Sequence, residues 1–420
     1  MVNKIRVRPF VLAALCFYFC VALADANRGD EPMTQPGPAT GAETIRLNQW
    51  LDDQFKAYLD FSPLAKTRLG IKTDYAVLDD NSPEMDDRYV NWRLQSASQM
   101  QRSFKRTDLT EEGKRSFDLW LRLSTESQKS VRFRFHRYVF GRRGPHTGLP
   151  NGLINYHKVD SLSDMQAYVS RLGQSGRYLM QALDKAKLSA SKGIRAPYFD
   201  YQVALSQIQR VTQGQPFTDR GESPIWKDIV GKTESLVARG EISSSQARDL
   251  TEQASLAITN SMLPAYIAIK SWLEADLDNV SAQAQGASAL PEGKAYYQYA
   301  LERMTTLPLK PLEVHELGLV EVARIQQEMK EIMTQVGFDG TLEDFFRFLR
   351  SDDQFYFDNS DQGRQGYLSL ARDYLLAMKV RLPEFFGILP QGPLEVRRVE
   401  AFREQPGAAA HYVRGTQDGS

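Results

Sequence analysis

Apolar residues recur at intervals of three and four along most of the chain, which is the pattern of amphipathic helices. The first such run carries Trp50 and Phe55 and ends at Pro63. A longer run over about 243–278 contains Pro264, and a proline inside a helix breaks or kinks it. Several runs follow residues that typically cap helices, namely Ser82, Thr110, Ser163 and Thr341. The pattern predicts a mainly α-helical protein with many helices.

Two regions depart from this helical pattern. The stretch 141–153, "GRRGPHTGLPNGL", is rich in Gly and Pro and is predicted to be a loop. Near the C-terminus, 393–402 alternates imperfectly between apolar and polar residues and 408–415 is short and extended, so both are predicted to be strands. Two strands are marginally stable alone. We therefore expect a small β fragment near the C-terminus and a polypeptide that is incomplete there.

The N-terminus predicts export. Residues 9–24 form an apolar core that is short for a membrane span, and alanine-rich cleavage sites follow it. Basic residues precede the core, namely Lys4, Arg6 and Arg8. Residues 1–26 are therefore predicted to be a signal peptide and 27–42 a flexible leader, with no stable membrane span after cleavage. An uncleaved anchor is disfavoured by the length of the core. The mature protein is expected in the periplasm or secreted.

Composition narrows the possible chemistry. Of the 420 residues, 42% are apolar and 25% charged, as in globular proteins. Lysine plus arginine equals aspartate plus glutamate, 52 each, so no global charge favours nucleic acid or an acidic membrane. Both cysteines, Cys16 and Cys20, lie in the predicted signal peptide. A mature chain without cysteine has no disulfide, thiol nucleophile or thiolate zinc site.

The densest local charge lies in 129–143, where arginines alternate with aromatic residues. Such a segment binds single-stranded nucleic acid in some proteins. The zero net charge and the predicted export instead favour an amphipathic element whose aromatics point inward and whose arginines point to solvent. A third alternative is that the arginines line a cleft for an anionic or peptide-carboxylate ligand.

No metal site or nucleophile is predicted from the sequence. His315 and Glu316 begin like the zinc motif H-E-x-x-H, but position 319 is Leu, so a helix-surface histidine is expected. None of the five histidines is paired with another at helical ligand spacing. The stretch 173–177, "GQSGR", lacks the last glycine of G-x-S-x-G, and the S-x-x-K match at 189–192 has no partner motifs. No catalytic residue and no metal ligand are therefore assigned.

Tyrosines near residue 297 and the pair His411–Tyr412 remain as candidate binding residues. The phenol groups of Tyr296, Tyr297 and Tyr299 could donate to a developing oxyanion, although core positions with satisfied hydroxyls are more common for such residues. His411 and Tyr412 lie on a predicted terminal strand, and an edge strand beside a cleft can bind an extended peptide.

Several stretches together resemble one bacterial family, known as domain of unknown function 885. The most specific is 293–329, which includes "PLEVHELGLVEV". The others are 62–75, "SPLAKTRLGIKTDY"; 153–172, "LINYHKVDSLSDMQAYVSRL"; 193–199, "GIRAPYF"; and 382–420. Members are mostly helical, are often exported and look like helix-rich, funnel-shaped zinc metallopeptidases with a motif of the form H-E-x-x-P-G-H-H.

This resemblance implies a single helical domain over 43–420 that forms the front portion of a zinc-dependent peptidase-like hydrolase. The zinc motif does not occur in these residues, so we expect zinc in the complete protein, no cofactor in this chain and no activity of this chain alone. The implied ligand is a peptide substrate, and its expected contacts are Tyr297, His411 and Tyr412. The alternative is a non-catalytic helical binding or scaffold protein of the cell envelope.

Overall fold

The computed structural model of the protein describes residues 38–399 and 410–413. The fold is mainly α-helical, as predicted. The predicted signal peptide, 1–26, lies outside the described residues, as does most of the predicted leader. None of the described helices combines the length and the apolar character that crossing a membrane requires.

The α-helices of the described chain are α1 Pro38–Leu59, α2 Pro63–Arg68, α3 Pro83–Ser103, α4 Glu111–Ser130, α5 Pro145–Tyr156, α6 Leu162–Ser191, α7 Tyr198–Val211, α8 Pro224–Ala238, α9 Ser244–Ala257, α10 Leu263–Asp276, α11 Gly293–Thr305, α12 Pro311–Gln335, α13 Leu342–Ser351 and α14 Asp361–Arg381. A 3-10 helix, Val131–His136, follows α4, and a π-helical segment, Ile258–Met262, joins α9 to α10.

Most of the predicted capping residues begin helices. The Ser82 hydroxyl accepts a hydrogen bond from the backbone N–H of Met85, and Thr110 accepts one from Gly113. The helix predicted to begin at Ser163 instead begins after Ser161. Asp164 explains the shift, because its carboxylate accepts from the Ser161 backbone N–H and completes a capping box.

The loop predicted over 141–153 was wrong for most of its length, because α5 occupies 145–156. Pro145 lies at the first helical turn, where its missing N–H costs nothing. His146, Leu149 and Leu153 are at most 1% exposed, so one face of α5 is buried in the core. Burial of this face outweighs the low helix propensity of the glycines.

The two predicted C-terminal strands are not formed in the described residues. Both 393–399 and 410–413 have irregular backbone, and the rest of each predicted strand lies outside the described residues. In the described chain the only β pairing is an isolated bridge between Gln215 and Glu222. A strand requires a neighbour for its backbone hydrogen bonds, and these segments have none there. The prediction was therefore wrong for the residues that can be checked.

The helices divide into a larger unit, Gln35–Thr306, and a smaller unit, Leu307–Val399. Whether they act as the single domain expected over 43–420 stays a prediction. In the larger unit α6 is the central helix, and its fully buried Tyr168, Leu172 and Leu179 belong to the main core. A second, smaller core joins α1, α3 and α4 through Leu47, Met100, Phe104, Leu109 and Phe117.

The long helix was predicted to break near Pro264. Its α-helical pattern is interrupted just before this proline by the π-helical segment Ile258–Met262. This segment packs closely against α6. The Ser261 hydroxyl donates to the Gly173 carbonyl at 2.7 Å and accepts from the Gly176 N–H at 2.9 Å. The absence of a side chain at Gly176 permits this approach, because a Cβ there would lie 2.6 Å from the Ser261 carbonyl oxygen.

The smaller unit has little buried core in the described residues. Met333 and Phe345 are its buried apolar side chains, and Phe345 packs edge-on against Phe338 with ring centres 5.1 Å apart. The apolar residues of α12 are mostly not in this core, and Leu317 is 59% exposed. His315 and Glu316 are exposed on α12, as expected for a helix-surface pair.

Candidate functional site

Three of the described histidines are buried, and two of them serve the core. His146 Nε2 lies 2.7 Å from Gln207 Oε1, and burial lowers the pKa of His146 to about 4. His157 Nε2 donates to the Asp164 carbonyl at 3.0 Å, and burial, followed by the charge of Arg171, lowers its pKa to about 3. Both imidazoles are neutral at pH 7, and neither has a solvent-exposed edge for a ligand.

Arg171 joins α6 to the stretch 62–75, because its Nη2 donates to the carbonyls of Pro63 and Asp74 at 3.4 Å. This side chain is fully buried, and its Nε donates to the Val77 carbonyl at 3.0 Å. Its Nη1 lies 3.1 Å from His157 Nδ1, which accepts because Nε2 carries the ring proton. Tyr75 stacks on His157 with ring centres 4.0 Å apart. Because this network is sealed from solvent, it stabilises the fold and is not a binding site.

The described residues do not fit a zinc site. Among 38–399 and 410–413, no group of three His, Cys, Asp or Glu side chains is placed to hold a metal ion. Each buried histidine has at least one ring nitrogen paired with a carbonyl, an amide or a guanidinium, whereas His136 Nδ1 and His146 Nδ1 have no partner in the described chain. No reaction step at a metal can therefore be derived from these residues.

The two nucleophile-like motifs lie on α6 and are structural. Ser175 is fully buried and its hydroxyl donates to the Leu172 carbonyl at 2.5 Å. Ser189 donates to the Lys185 carbonyl, while the Lys192 ammonium lies over the Phe135 ring instead of beside Ser189. Neither serine has a base within reach.

The basic segment 129–143 meets the tyrosines of α11. Tyr296 stacks on His136 with ring centres 4.6 Å apart, and Tyr299 stacks on Phe133 at 5.1 Å. Phe133 and His136 are themselves in edge-on contact at 5.4 Å. We call these four residues, Phe133, His136, Tyr296 and Tyr299, the His–Tyr cluster.

The His–Tyr cluster contains two buried polar atoms without a partner in the described chain, His136 Nδ1 and the Tyr299 hydroxyl. His136 Nε2 lies 2.8 Å from the Pro291 carbonyl oxygen and must donate to it, since a carbonyl can only accept. Nδ1 is therefore an acceptor that nothing satisfies. Unpaired buried polar atoms are rare and costly, so a ligand or water that pairs with them is stabilised.

Charges of both signs lie near this cluster. Burial raises the pKa of Tyr299, the charges of Arg303 and Arg137 lower it, and the charge of Glu126 raises it. Both arginines are exposed and form no ion pair in the described chain. Arg132, in contrast, pairs with Glu292 and lowers the pKa of that carboxylate. The cluster therefore contains an unpaired acceptor and an unpaired phenol, and two guanidinium groups without an ion pair in the described chain lie near it.

A nearby cavity is too small to be the ligand site. Arg137 and Tyr138 contribute to its lining, but its volume is about 20 Å³. That is room for about one water molecule. Any larger ligand of the cluster must lie on the exposed side, where Arg137 and Arg303 are.

The predicted contact residues lie at the surface. Tyr297 is 48% exposed on α11, between the two tyrosines of the cluster. Tyr412 is 75% exposed, and His411 beside it is also exposed. No hydrogen bond or ring contact joins these three residues in the part of the chain that the structure describes. Their role in binding stays a prediction.

The sequence analysis identified both segments of the His–Tyr cluster as candidates but did not predict that they are in contact. Tyr299 was among the candidate tyrosines, but His136 and its contact with them were missed, because nothing local shows that a 3-10 turn and a helix more than 150 residues later share one core. The signal that was present, aromatic residues alternating with arginines, is equally typical of an ordinary amphipathic element.

Comparison with known proteins identifies one family. The family model described as "Bacterial protein of unknown function (DUF885)" matches residues 63–420. No curated protein matches the chain.

A similar solved structure is the crystal structure of the "putative lipoprotein" from Colwellia psychrerythraea. The two share 19% sequence identity with a TM-score of 0.73, over 86% of this chain and 63% of that chain. At this identity the likeness shows the fold alone. The chain spans less than two thirds of the length of that protein.

Proposed function

The chain belongs to the DUF885 family, and on this premise we propose that its larger unit binds the peptide substrate of a zinc-dependent peptidase-like hydrolase. In this proposal the helices of the larger unit form walls of the substrate cleft. The zinc ion and its ligands belong to an H-E-x-x-P-G-H-H motif that is not among the 420 residues. This chain by itself then binds peptide without hydrolysing it.

The observation that carries the proposal is the pair of unsatisfied atoms in the His–Tyr cluster. Both atoms are buried, so a peptide N–H can donate to His136 Nδ1, and a peptide carbonyl can accept from the Tyr299 hydroxyl, only after the side chains that cover them move aside. The free guanidinium of Arg137 suits a peptide carboxylate, to which arginine can bind through two parallel hydrogen bonds. Tyr297, His411 and Tyr412 are proposed as further contacts.

The proposed location is the periplasm or the outside of the cell. The predicted signal peptide supports it, and the similar Colwellia protein is described as a lipoprotein. Expression of the chain in a Gram-negative bacterium, followed by fractionation and N-terminal sequencing, tests this. We expect a protein that begins near residue 27 in the periplasm or the medium, whereas an uncleaved cytoplasmic chain would contradict the proposal.

Calorimetric titration with a pentapeptide tests the binding function. We expect penta-alanine with a free C-terminus to bind, and Tyr299→Phe to weaken binding about fivefold to tenfold, the loss of one hydrogen bond. Arg137→Gln should weaken binding of the free peptide about tenfold and leave the C-terminally amidated peptide unaffected.

Tyr367→Phe is the matched control for Tyr299→Phe. Tyr367 is 49% exposed on α14 in the smaller unit and should have no effect on affinity. Absence of binding by either peptide, or equal affinity of wild type, Tyr299→Phe and Arg137→Gln, would overturn the proposal.

The alternative is a non-catalytic binding or scaffold protein of the cell envelope. The apolar surface of the smaller unit favours it, since Leu312, Leu319 and Val320 of α12 are each about three-fifths exposed. Exposed apolar patches commonly mark binding surfaces. This alternative predicts no peptide binding in the titration, together with self-association or partner binding that substitutions on α12 abolish.

A further inference from the structure

A groove of about 430 Å³ lies on the larger unit, well away in sequence from the His–Tyr cluster. This volume is in the range of small-molecule binding sites. Gln54 of α1 forms one side, and the rest of the lining comes from α3, namely Trp92, Gln95, Ser96, Gln99 and Arg102. Residues three and four apart share one helix face, so α3 presents a continuous stripe about 15 Å long.

The floor of the groove, formed by Trp92 and Ser96, is fixed by contacts within the protein. Trp92 contacts the rings of Phe61 and Tyr89, with ring centres 5.4 Å and 5.6 Å away. Ser96 is buried, and its hydroxyl donates to the Arg93 carbonyl at 2.8 Å and accepts from the Trp120 indole at 3.3 Å. A preformed floor lowers the entropic cost of binding.

The rim of the groove, in contrast, has free polar groups. The carboxamides of Gln54, Gln95 and Gln99 form no hydrogen bond within the described chain, and Arg102 forms no ion pair there. No carboxylate belongs to the lining. The groove therefore presents one indole, three free amides and a single positive charge.

We propose that this groove binds an oligosaccharide that carries a carboxylate group. A carboxamide both donates and accepts, and so does a sugar hydroxyl, so neighbouring hydroxyls can pair with each glutamine. The indole of Trp92 suits the apolar C–H face of a pyranose ring. The Arg102 guanidinium can bind the carboxylate through two hydrogen bonds.

Other ligand classes fit this lining less well. Peptides are typically bound by an exposed strand edge or by a groove of apolar pockets, and here Trp92 is the only apolar residue of the lining. Nucleic acids require several cations along a phosphate backbone, whereas the groove supplies Arg102 alone. The groove shares no residue with the His–Tyr cluster, so this proposal can be correct whether or not the proposed peptide-binding function is.

Calorimetric titration of the full 420-residue chain with four-sugar probes tests the proposal. The acidic probes are tetragalacturonate and a hyaluronan tetrasaccharide, and the uncharged probes are cellotetraose and chitotetraose. We expect at least one acidic probe to bind, and more tightly than either uncharged probe. The double variant Gln95→Ala/Gln99→Ala should weaken this binding at least about tenfold. Arg102→Gln should remove the preference for acidic probes.

Matched controls lie on the same helix outside the groove. Arg88 and Gln101 are exposed on α3 and do not line it, so Arg88→Gln and Gln101→Ala should bind like the wild type. All substituted side chains are exposed, and circular dichroism verifies that the variants fold. No binding of any acidic probe, or binding that the groove variants leave unchanged, would overturn the proposal. Binding of tetraglutamate that Gln95→Ala/Gln99→Ala weakens would instead make this a peptide site.

Discussion

At the scale of single residues, Arg171 shows how a buried charge can be given hydrogen-bond partners inside a helical core. Its guanidinium donates to the Val77 carbonyl and to His157 Nδ1, and burial lowers the pKa of Arg171 to about 10. Arg171→Met leaves these two acceptors unpaired in the core. We expect a loss of about 2–4 kcal/mol in the free energy of unfolding, measured by urea denaturation.

Arg177 is the control for this substitution. It lies six residues further along α6 and donates to the carbonyls of Leu78 and Asp79. Because it is exposed, water can replace it, and Arg177→Met should cost under about 1 kcal/mol. Equal losses for the two variants would show that burial of Arg171 has no special role.

The buried histidines predict how stability depends on pH. His146 and His157 have pKa values of about 4 and about 3 in the folded chain, below the ordinary 6.5. Protonation therefore favours the unfolded state, and stability present above pH 6.5 is lost as the pH falls toward 4. At pH 5 the expected loss is about 2 kcal/mol for each histidine.

Urea denaturation between pH 7.5 and 5 measures this loss. His146→Gln should flatten the pH dependence by about half, because one of the two titrating groups is gone. His315→Gln, at an exposed position of α12, should leave the slope as in the wild type. If the free energy of unfolding of His146→Gln depended on pH as steeply as that of the wild type, His146 would not be one of the titrating groups.

At the scale of elements, the contact between α6 and the π-helical segment depends on one glycine. Gly176→Ala places a methyl group against the Ser261 carbonyl, so we expect a loss of about 1–3 kcal/mol despite the better helix propensity of alanine. Gly173→Ala, one turn earlier, meets nothing within 4 Å and should stabilise by about 0.5–1 kcal/mol. Thermal melting of both variants tests these two expectations. A change of the melting temperature in the same direction for both variants would contradict them.

The helices could largely be predicted from sequence, because each carries its own signals. The apolar periodicity and the caps at Ser82, Thr110 and Thr341 act over a few residues, so they can be read locally. Helix α5 could not be predicted, since four of its twelve residues are Gly or Pro and only contacts with distant segments bury Leu149 and Leu153. The same limit applies to the His–Tyr cluster, whose members adjoin only after folding.

At the scale of the whole molecule, the apolar surface of the smaller unit is the least expected feature. Leu317 and Val320 lie three apart on α12 and are 59% and 64% exposed. Leu317→Lys/Val320→Lys should change the free energy of unfolding by less than about 1 kcal/mol, because neither side chain is in a core. Binding of the dye ANS should decrease.

Met333→Lys on the same helix is the control for burial. Met333 is 5% exposed, so an unpaired charge there should destabilise the protein strongly. If Leu317→Lys/Val320→Lys destabilised as much as Met333→Lys, the exposed face of α12 would have to be part of a core.

The central claim is that this chain binds a peptide that it cannot cut. The most direct test measures bound zinc by mass spectrometry, binding of penta-alanine by calorimetry and hydrolysis of a fluorogenic peptide on one preparation of the 420-residue chain. We predict peptide binding, less than stoichiometric zinc and no turnover. One zinc ion per chain together with peptide cleavage would contradict the claim.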